Sequence, residues 1–246
     1  MKIGVPKETQ ARETRVAITP TIAKQLKAKG FEIVVESGAG EKSFFSDGDY
    51  TQAGAIIGAK ANAYECSIVA KINAPTEEEA KLLKAGSTLI STLFAATNPE
   101  VVKALAEAGV NAFSMDAIPR TSLAQSMDVL SSQANLAGYK AVLLGGAEMG
   151  KIFPMLMTSA GTIKPSTVVI FGAGVAGLQA IATAKRLGAN VWVSDIRPET
   201  KEQVQSLGGK FIEVEGDDTV DMAGGYVTNV SPEFLKKQQE VVTSKV

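Results

Sequence analysis

Short apolar runs alternate along the chain with stretches in which apolar residues recur every three or four positions. The runs Lys2–Val5, Phe31–Glu36, Ser67–Ile72, Thr88–Thr92 and Ala112–Ser114 predict strands. Between them, Thr21–Lys29 carries Ile22 and Leu26 at helical spacing and stops at Gly30, a C-cap residue. Asp49–Ala53 predicts a short helix, Thr76–Ala85 another, and Asn98–Ala108 a third that opens with Asn-Pro at the cap and first-turn positions. Strands alternating with helices predict a mainly parallel sheet covered by helices.

The pattern then changes. Ser122 to Leu144 contains no proline and one glycine, and Leu123, Met127, Leu130, Ala134, Ala137 and Ala141 keep spacings of three and four. The segment predicts one helix of about 23 residues, roughly 35 Å long, suited to joining two domains. Gly145-Gly146 and Pro154 interrupt the chain after it. A second unit begins with the strand Thr167–Phe171, followed by a glycine-rich turn, a helix to Leu187 that stops at Gly188, and the strand Asn190–Ser194. Pro198–Leu207 predicts a helix and Lys210–Val214 a third strand. Gly216–Gly225 predicts a mobile loop, and Ser231–Val242 a polar helix capped by Ser-Pro-Glu. The fold class is α/β: two Rossmann-like domains with mainly parallel sheets, residues 1–121 and 147–246, joined by the long helix at 122–146. A full dinucleotide fold has about six strands and about three are visible in the second domain, so it is expected to be incomplete at its C-terminal end.

The glycine-rich turn carries the chemistry. It reads Gly172-Ala173-Gly174-Val175-Ala176-Gly177, with a strand before it, a helix after it, and a carboxylate, Asp195, at the end of the next strand. The first glycine permits the tight turn, the second lets backbone approach a pyrophosphate, and the third lets helix and strand pack closely. The helix N-terminus offers unpaired N–H groups and the positive end of its dipole to phosphates. Asp195, followed by Ile196 and Arg197, can accept both ribose hydroxyls and would repel a 2′-phosphate. That favours NAD(H) over NADP(H), although Arg197 is a basic residue that could host such a phosphate. The alternatives are a ligand-free glycine turn and a flavin adenine dinucleotide site, which more often lies near a chain start.

Composition narrows the classes further. The 246 residues are 45% hydrophobic and 21% charged, which excludes wholesale disorder. Lys plus Arg number 25 and Asp plus Glu 26, so no basic excess exists to bind nucleic acid or an anionic membrane. There is no histidine. Ser-His-Asp and Cys-His nucleophiles, His general bases and His-ligated zinc are therefore excluded. The one cysteine, Cys66, allows no intrachain disulfide and no thiolate cluster, so no metal is expected. Met1–Gln10 reads as strand and loop rather than as a signal peptide, and no run of 18 apolar residues occurs.

Several segments together resemble one family. They are Gly4-Val-Pro-Lys-Glu8 with Arg15-Val-Ala-Ile-Thr-Pro20, the stretch from Pro119 to Ala141 (PRTSLAQSMDVLSSQANLAGYKA), and the dinucleotide motif. The chain resembles the alanine dehydrogenase/transhydrogenase family, and within it the N-terminal NAD(H)-binding component of the alpha subunit of proton-translocating NAD(P) transhydrogenases. The resemblance runs from Met1 to about Val242. It implies NAD(H) on this chain and NADP(H) on a partner domain. It also implies a separate membrane-spanning proton-channel part, a homodimer, and a position peripheral to the cytoplasmic side of the inner (plasma) membrane. It places Arg120, Gln125, Asp128 and Ser131 around the nicotinamide end of NAD(H), and Tyr226 on a loop that closes over the nucleotide. On a continuous helix Gln125, Asp128 and Ser131 would share one face at spacings of three; a capped helix with a solvated Asp128 is the plainer alternative. Leu123 stands where many relatives carry arginine.

The same resemblance separates two activities. Alanine dehydrogenases need proton transfer as well as hydride transfer and use a histidine and a lysine. Here Lys71 and Arg15 match the family's lysine and its carboxylate-binding arginine, but no histidine exists. Transhydrogenation moves a hydride directly between two nicotinamides and needs no proton at the reacting carbon, so positioning suffices. An amino-acid dehydrogenase and a non-catalytic nucleotide-binding module are the competing readings.

Overall fold

The computed structural model describes residues 1–214, 221–223, 226–229 and 231–244. The chain forms two compact units, Met1–Val129 and Leu130–Val246. The first runs β1 (Lys2–Val5), α1 (Pro20–Ala28), β2 (Glu32–Glu36), α2 (Asp47–Gln52), β3 (Ile56–Gly58), α3 (Lys60–Tyr64), β4 (Ile68–Asn73), α4 (Glu77–Ala80), β5 (Thr88–Thr92), α5 (Pro99–Glu107) and β6 (Asn111–Ser114). Its six strands lie in the order β3-β2-β1-β4-β5-β6, every pair parallel. This is the doubly wound, Rossmann-like order, and its direction reverses between β1 and β4.

The pleat sends alternate residues to opposite faces. Ile3, Val5, Ile33 and Val35 pack under α1 and α2 with Val16, Ile18, Ala23 and Tyr50. Val69 and Leu89 pack on the other face with Tyr64, Ala80, Leu83 and Leu105. Each buried aliphatic side chain contributes about 1.5–3 kcal/mol. The Tyr50 hydroxyl donates to the Ile18 carbonyl at 2.8 Å, so its polar end is satisfied inside that core. At Gly4 the two layers meet without a side chain. A Cβ there would lie 1.8 Å from the Ala63 carbonyl oxygen, so α3 rests directly on β1.

The second unit contains α6 (Val129–Glu148, whose first residue closes the first unit), a hairpin of β7 (Leu156–Thr158) and β8 (Gly161–Ile163), then β9 (Thr167–Phe171), α7 (Val175–Arg186), β10 (Asn190–Ser194), α8 (Lys201–Ser206) and β11 (Lys210–Phe211). β12 (Asp221–Ala223) and β13 (Tyr226–Asn229) pair antiparallel, and α9 (Pro232–Thr243) comes after them. β11-β10-β9 form a parallel three-stranded sheet. Its core gathers Ile181, Ala184, Val191, Val193 and Val204, with Val142 from α6. Gly138 of α6 sits against α7, where a Cβ would lie 2.0 Å from the Ala176 carbonyl oxygen.

The structure corrects four expected elements. The long helix does not begin at Ser122. Residues 121–128 form tight turns, including a 3-10 turn at Gln125–Met127, and Asp128 is non-helical at ψ 88°. Helix α6 starts only at Val129. An aspartate at that point bonds nearby backbone and favours a helix entry over a helix interior. Leu123, which extended the apolar spacing, is 93% exposed. The helix expected at Thr76–Ala85 is four residues long, because Glu79–Leu82 and Ala80–Leu83 close as i to i+3 turns. The helix expected at Pro198–Leu207 opens with a 3-10 turn at Pro198–Thr200. The strand expected at Lys210–Val214 pairs only through Phe211. The hairpin β7–β8, and β3 and α3, are elements that the spacing does not announce. Of the loop expected at Gly216–Gly225, Asp221–Ala223 is strand and the rest lies outside the described residues.

Gly4→Ala should destabilise the first unit by about 1–3 kcal/mol, the range for overpacking a filled core, read as a lower urea midpoint. An unchanged midpoint would show that α3 does not rest on β1 as described.

Candidate functional site

The glycine turn joins β9 to α7 in the second unit. Gly172 has φ +90°, a conformation that L side chains rarely adopt. Its amide donates to the Ser194 carbonyl at 2.8 Å, which ties the turn to the end of β10. A Cβ on Gly177 would lie 1.8 Å from the Gly172 carbonyl oxygen, so only glycine lets α7 pack on the turn. A Cβ on Gly174 would meet nothing within 4 Å, so that backbone faces open space. The first helical bond runs from the Leu178 amide to the Gly174 carbonyl at 2.8 Å. The amides before it are the unpaired donors of a helix start. No acidic residue lies in the first turn to compensate the dipole. An accessible backbone, free amides and a positive helix end are what a pyrophosphate requires.

Asp195 sits beside this turn. Its side chain is 3% exposed. Oδ2 accepts the Ala173 amide at 2.6 Å and Arg197 Nη2 at 3.0 Å. Oδ1 accepts the Arg197 amide at 2.8 Å and Arg197 Nε at 3.0 Å. Burial pushes this carboxyl up, but the hydrogen bonds from Arg197 and Ala173 outweigh it and hold its pKa below the usual aspartate value. Ile196 is half-buried between the two charged residues. The structure thus brings Gly172–Gly177, Asp195 and Arg197 together.

The other expected residues are placed differently. Arg120 is exposed on the loop after β6, Gln125 is exposed on the 3-10 turn, Asp128 immediately precedes α6, and Ser131 lies in its first turn. The shared face on one helix is therefore replaced by a turn, a break and a helix start. Tyr226 opens β13, and its side chain lies outside the described residues.

A second polar cluster occupies the first unit, where the carboxyl ends of β1 and β4 meet at the reversal of strand order. Lys71, its side chain 1% exposed, lies 3.2 Å from Glu79 Oε2 and 3.8 Å from Glu8 Oε2. It also donates to the Tyr64 hydroxyl at 3.4 Å. Glu8 accepts the Ile72 amide at 2.6 Å, and Lys60 reaches Glu79 Oε1 at 3.3 Å. Arg15 grips Glu13 through Nε at 2.8 Å and Nη2 at 2.7 Å, and Asn73 Nδ2 donates to the same carboxylate at 2.9 Å. Three cations thus face three carboxylates. Burial raises the Tyr64 phenol well above its usual value and keeps it neutral. Of this cluster the sequence singles out Lys71 and Arg15 but not Glu8, Glu13, Glu79 and Tyr64. The one local signal is the Thr76-x-x-Glu79 capping box, which the structure contains.

Among the described residues, no group of three His, Cys, Asp or Glu side chains is arranged to hold a metal ion. No described helix is long and apolar enough to cross a membrane.

Comparison with known proteins agrees with this geometry. Residues 4–137 match Alanine dehydrogenase/PNT, N-terminal domain, and residues 141–246 match Alanine dehydrogenase/PNT, C-terminal domain. The chain is 49% identical over 255 aligned residues to the first of the separate chains of NAD(P) transhydrogenase subunit alpha of Rhodospirillum rubrum, covering 100% of this chain and 66% of that protein. The solved structure of transhydrogenase from Sinorhizobium meliloti matches with a TM-score of 0.85 at 46% identity, over 87% of this chain and 64% of that one. An L-alanine dehydrogenase structure matches with a TM-score of 0.76 at 29% identity, over 86% of this chain and 60% of that one. The chain spans between 46% and 66% of the length of the curated transhydrogenase relatives it matches.

The Arg15–Glu13 pair generates a pH prediction. Hydrogen bonds from Arg15 hold the Glu13 carboxyl at about 2 against the opposing effect of burial; its ordinary value is 4.5. Its contribution to stability is complete above pH 4.5 and is lost as pH falls from 4.5 towards 2. Glu13→Gln should flatten the pH dependence of the urea midpoint across that window. An identical slope in the variant would remove Glu13 from the acid response.

Proposed function

The chain belongs to the alanine dehydrogenase/PNT family, and on that premise we propose that it is the NAD(H)-binding component of a proton-translocating NAD(P) transhydrogenase. One observation carries the reading: the Gly172–Gly177 turn delivers an uncompensated helix N-terminus beside a strand-end carboxylate. Gly172, Gly174 and Gly177, with the amides of Ala173, Val175 and Ala176, hold the pyrophosphate. Asp195, between the turn and Ile196-Arg197, takes the adenosine ribose. Arg120, Gln125, Asp128 and Ser131 hold the carboxamide and ribose at the nicotinamide end, and Tyr226 covers the bound nucleotide. NAD(H) bound there supplies or accepts a hydride at its nicotinamide C4.

The protein's role is positioning. Gln125 and Asp128 sit on a turn and at a helix entry, where short-range backbone bonds fix their direction. Their hydrogen bonds to a carboxamide select one ring face for hydride transfer. The acceptor is NADP(H) on a partner domain. Proton conduction lies in a membrane-spanning part of the assembly, which this chain meets from the cytoplasmic side, as a homodimer.

The runner-up is an amino-acid dehydrogenase, supported by the alanine dehydrogenase match. Its chemistry needs a proton donor and cations free to hold a substrate carboxylate. The chain has no histidine. Lys71 and Arg15 are each engaged by carboxylates of the fold. That observation weighs against it.

The test is a cyclic assay in which the chain is mixed with the NADP(H)-binding domain of a transhydrogenase, NADH and an acetylpyridine analogue of NAD. Turnover should appear with NADPH present and fall by ~10-fold or more in Gln125→Asn, on the order of 1.4 kcal/mol in the barrier, with a smaller change in NADH affinity. NADH binding without turnover would support a non-catalytic module. Oxidation of NADH by pyruvate plus ammonia would support the dehydrogenase.

A further inference from the structure

The Asp195 carboxylate has no acceptor capacity left. A carboxylate offers about four lone-pair sites. Here each oxygen already takes two N–H donors: Oδ1 from the amide and Nε of Arg197, Oδ2 from the Ala173 amide and Nη2 of Arg197. Two ribose hydroxyls cannot be added to four filled sites, so two bonds must be exchanged. The four donors are not equally exchangeable. The Ala173 and Arg197 amides belong to the turn and to the chain after β10, and moving them would disturb the fold. The guanidinium is attached by rotatable bonds, and the Arg197 side chain is 23% exposed against 3% for Asp195.

We propose that Arg197 is the residue that sets dinucleotide specificity here, by covering the Asp195 carboxylate in the free chain and yielding it to the ribose of NAD(H). The inference rests on the nucleotide-binding reading of the turn. The cover has two consequences. It keeps a buried carboxylate paired when no nucleotide is bound, where an unpaired charge would be costly. It also sets up a competition. A ribose with two free hydroxyls replaces the two side-chain donors one for one. A 2′-phosphate brings an anion to Asp195 and offers it no matching donor. Specificity therefore depends on both members of the pair, since a guanidinium freed from its carboxylate is itself a bidentate phosphate receptor.

The experiment is fluorescence titration of the chain and its variants with NADH and with NADPH, alongside circular-dichroism melts. Arg197→Ala removes the competitor and should tighten NADH binding by roughly 2- to 10-fold, the scale of one net hydrogen bond. Arg197→Met keeps the aliphatic stem without any donor and should do the same, so a folding defect in the alanine variant does not decide the matter. Asp195→Asn keeps an acceptor for the Ala173 amide while releasing the guanidinium. It should weaken NADH and strengthen NADPH binding by about 10-fold, the range of a charge-assisted bond. Adding Arg197→Met to Asp195→Asn should abolish the NADPH gain. Folded Arg197 variants that bind NADH no tighter than the parent chain overturn the competition. An NADPH gain that survives the double substitution overturns the role of the guanidinium. A parent chain that binds neither dinucleotide contradicts the functional reading itself and removes the proposal with it.

Discussion

No side chain can be placed at Gly177, where a Cβ would lie 1.8 Å from the Gly172 carbonyl oxygen. This contact brings the start of α7 down onto the turn. With α7 seated, the Gly172 amide reaches the Ser194 carbonyl and the Ala173 amide reaches Asp195, so turn, helix and second strand lock at one point. Gly138 adds a second close contact from α6 onto the same helix, against the Ala176 carbonyl. The donors at the helix N-terminus are thus pre-aligned rather than recruited. Pre-alignment lets an anion bind there without the ordering cost that a flexible loop would incur.

The first unit shows the same architecture used for a different end. Its strand order reverses between β1 and β4, and a doubly wound fold places ligands at that reversal. Here the reversal is filled by the fold's own charges. Lys71 is held by Glu8 and Glu79, and Arg15 is held by Glu13. Such a balanced cluster gives each buried charge a partner, and removing one partner would strand another. The polar groups that would receive a small acid in an enzyme acting on one are here satisfied internally. The second unit instead presents unpaired backbone donors where its glycine turn enters α7.

Much of this was legible in the residues. The glycine turn, its flanking strand and helix, and Asp195 are local features, and they appear where their spacing puts them. Most strands of the first unit could be read because their side chains alternate between two buried faces. What could not be read depends on distant partners. The apolar spacing of Leu123 and Met127 imitates a helix, but both are exposed and the chain breaks at Asp128. The helix after Thr76 is cut short at the segment where Glu79 turns inward to Lys71, a partner on another strand. The filling of Asp195 by Arg197 is also invisible in sequence, where an arginine two residues on suggests only a phosphate partner. Spacing reports which residues share a face, whereas the saturation of a hydrogen-bonding group is a property of three dimensions.

The central claim is that the second unit's turn, and not the first unit's charged cluster, receives the nucleotide. Backbone hydrogen–deuterium exchange of the chain with and without NADH tests it most directly. The account predicts slowed exchange at Ala173–Gly177 and around Asp195, with Lys71–Asn73 and the Thr76–Glu79 turn unchanged. Protection confined to the Lys71 and Glu79 region, with the glycine turn unaffected, would contradict it.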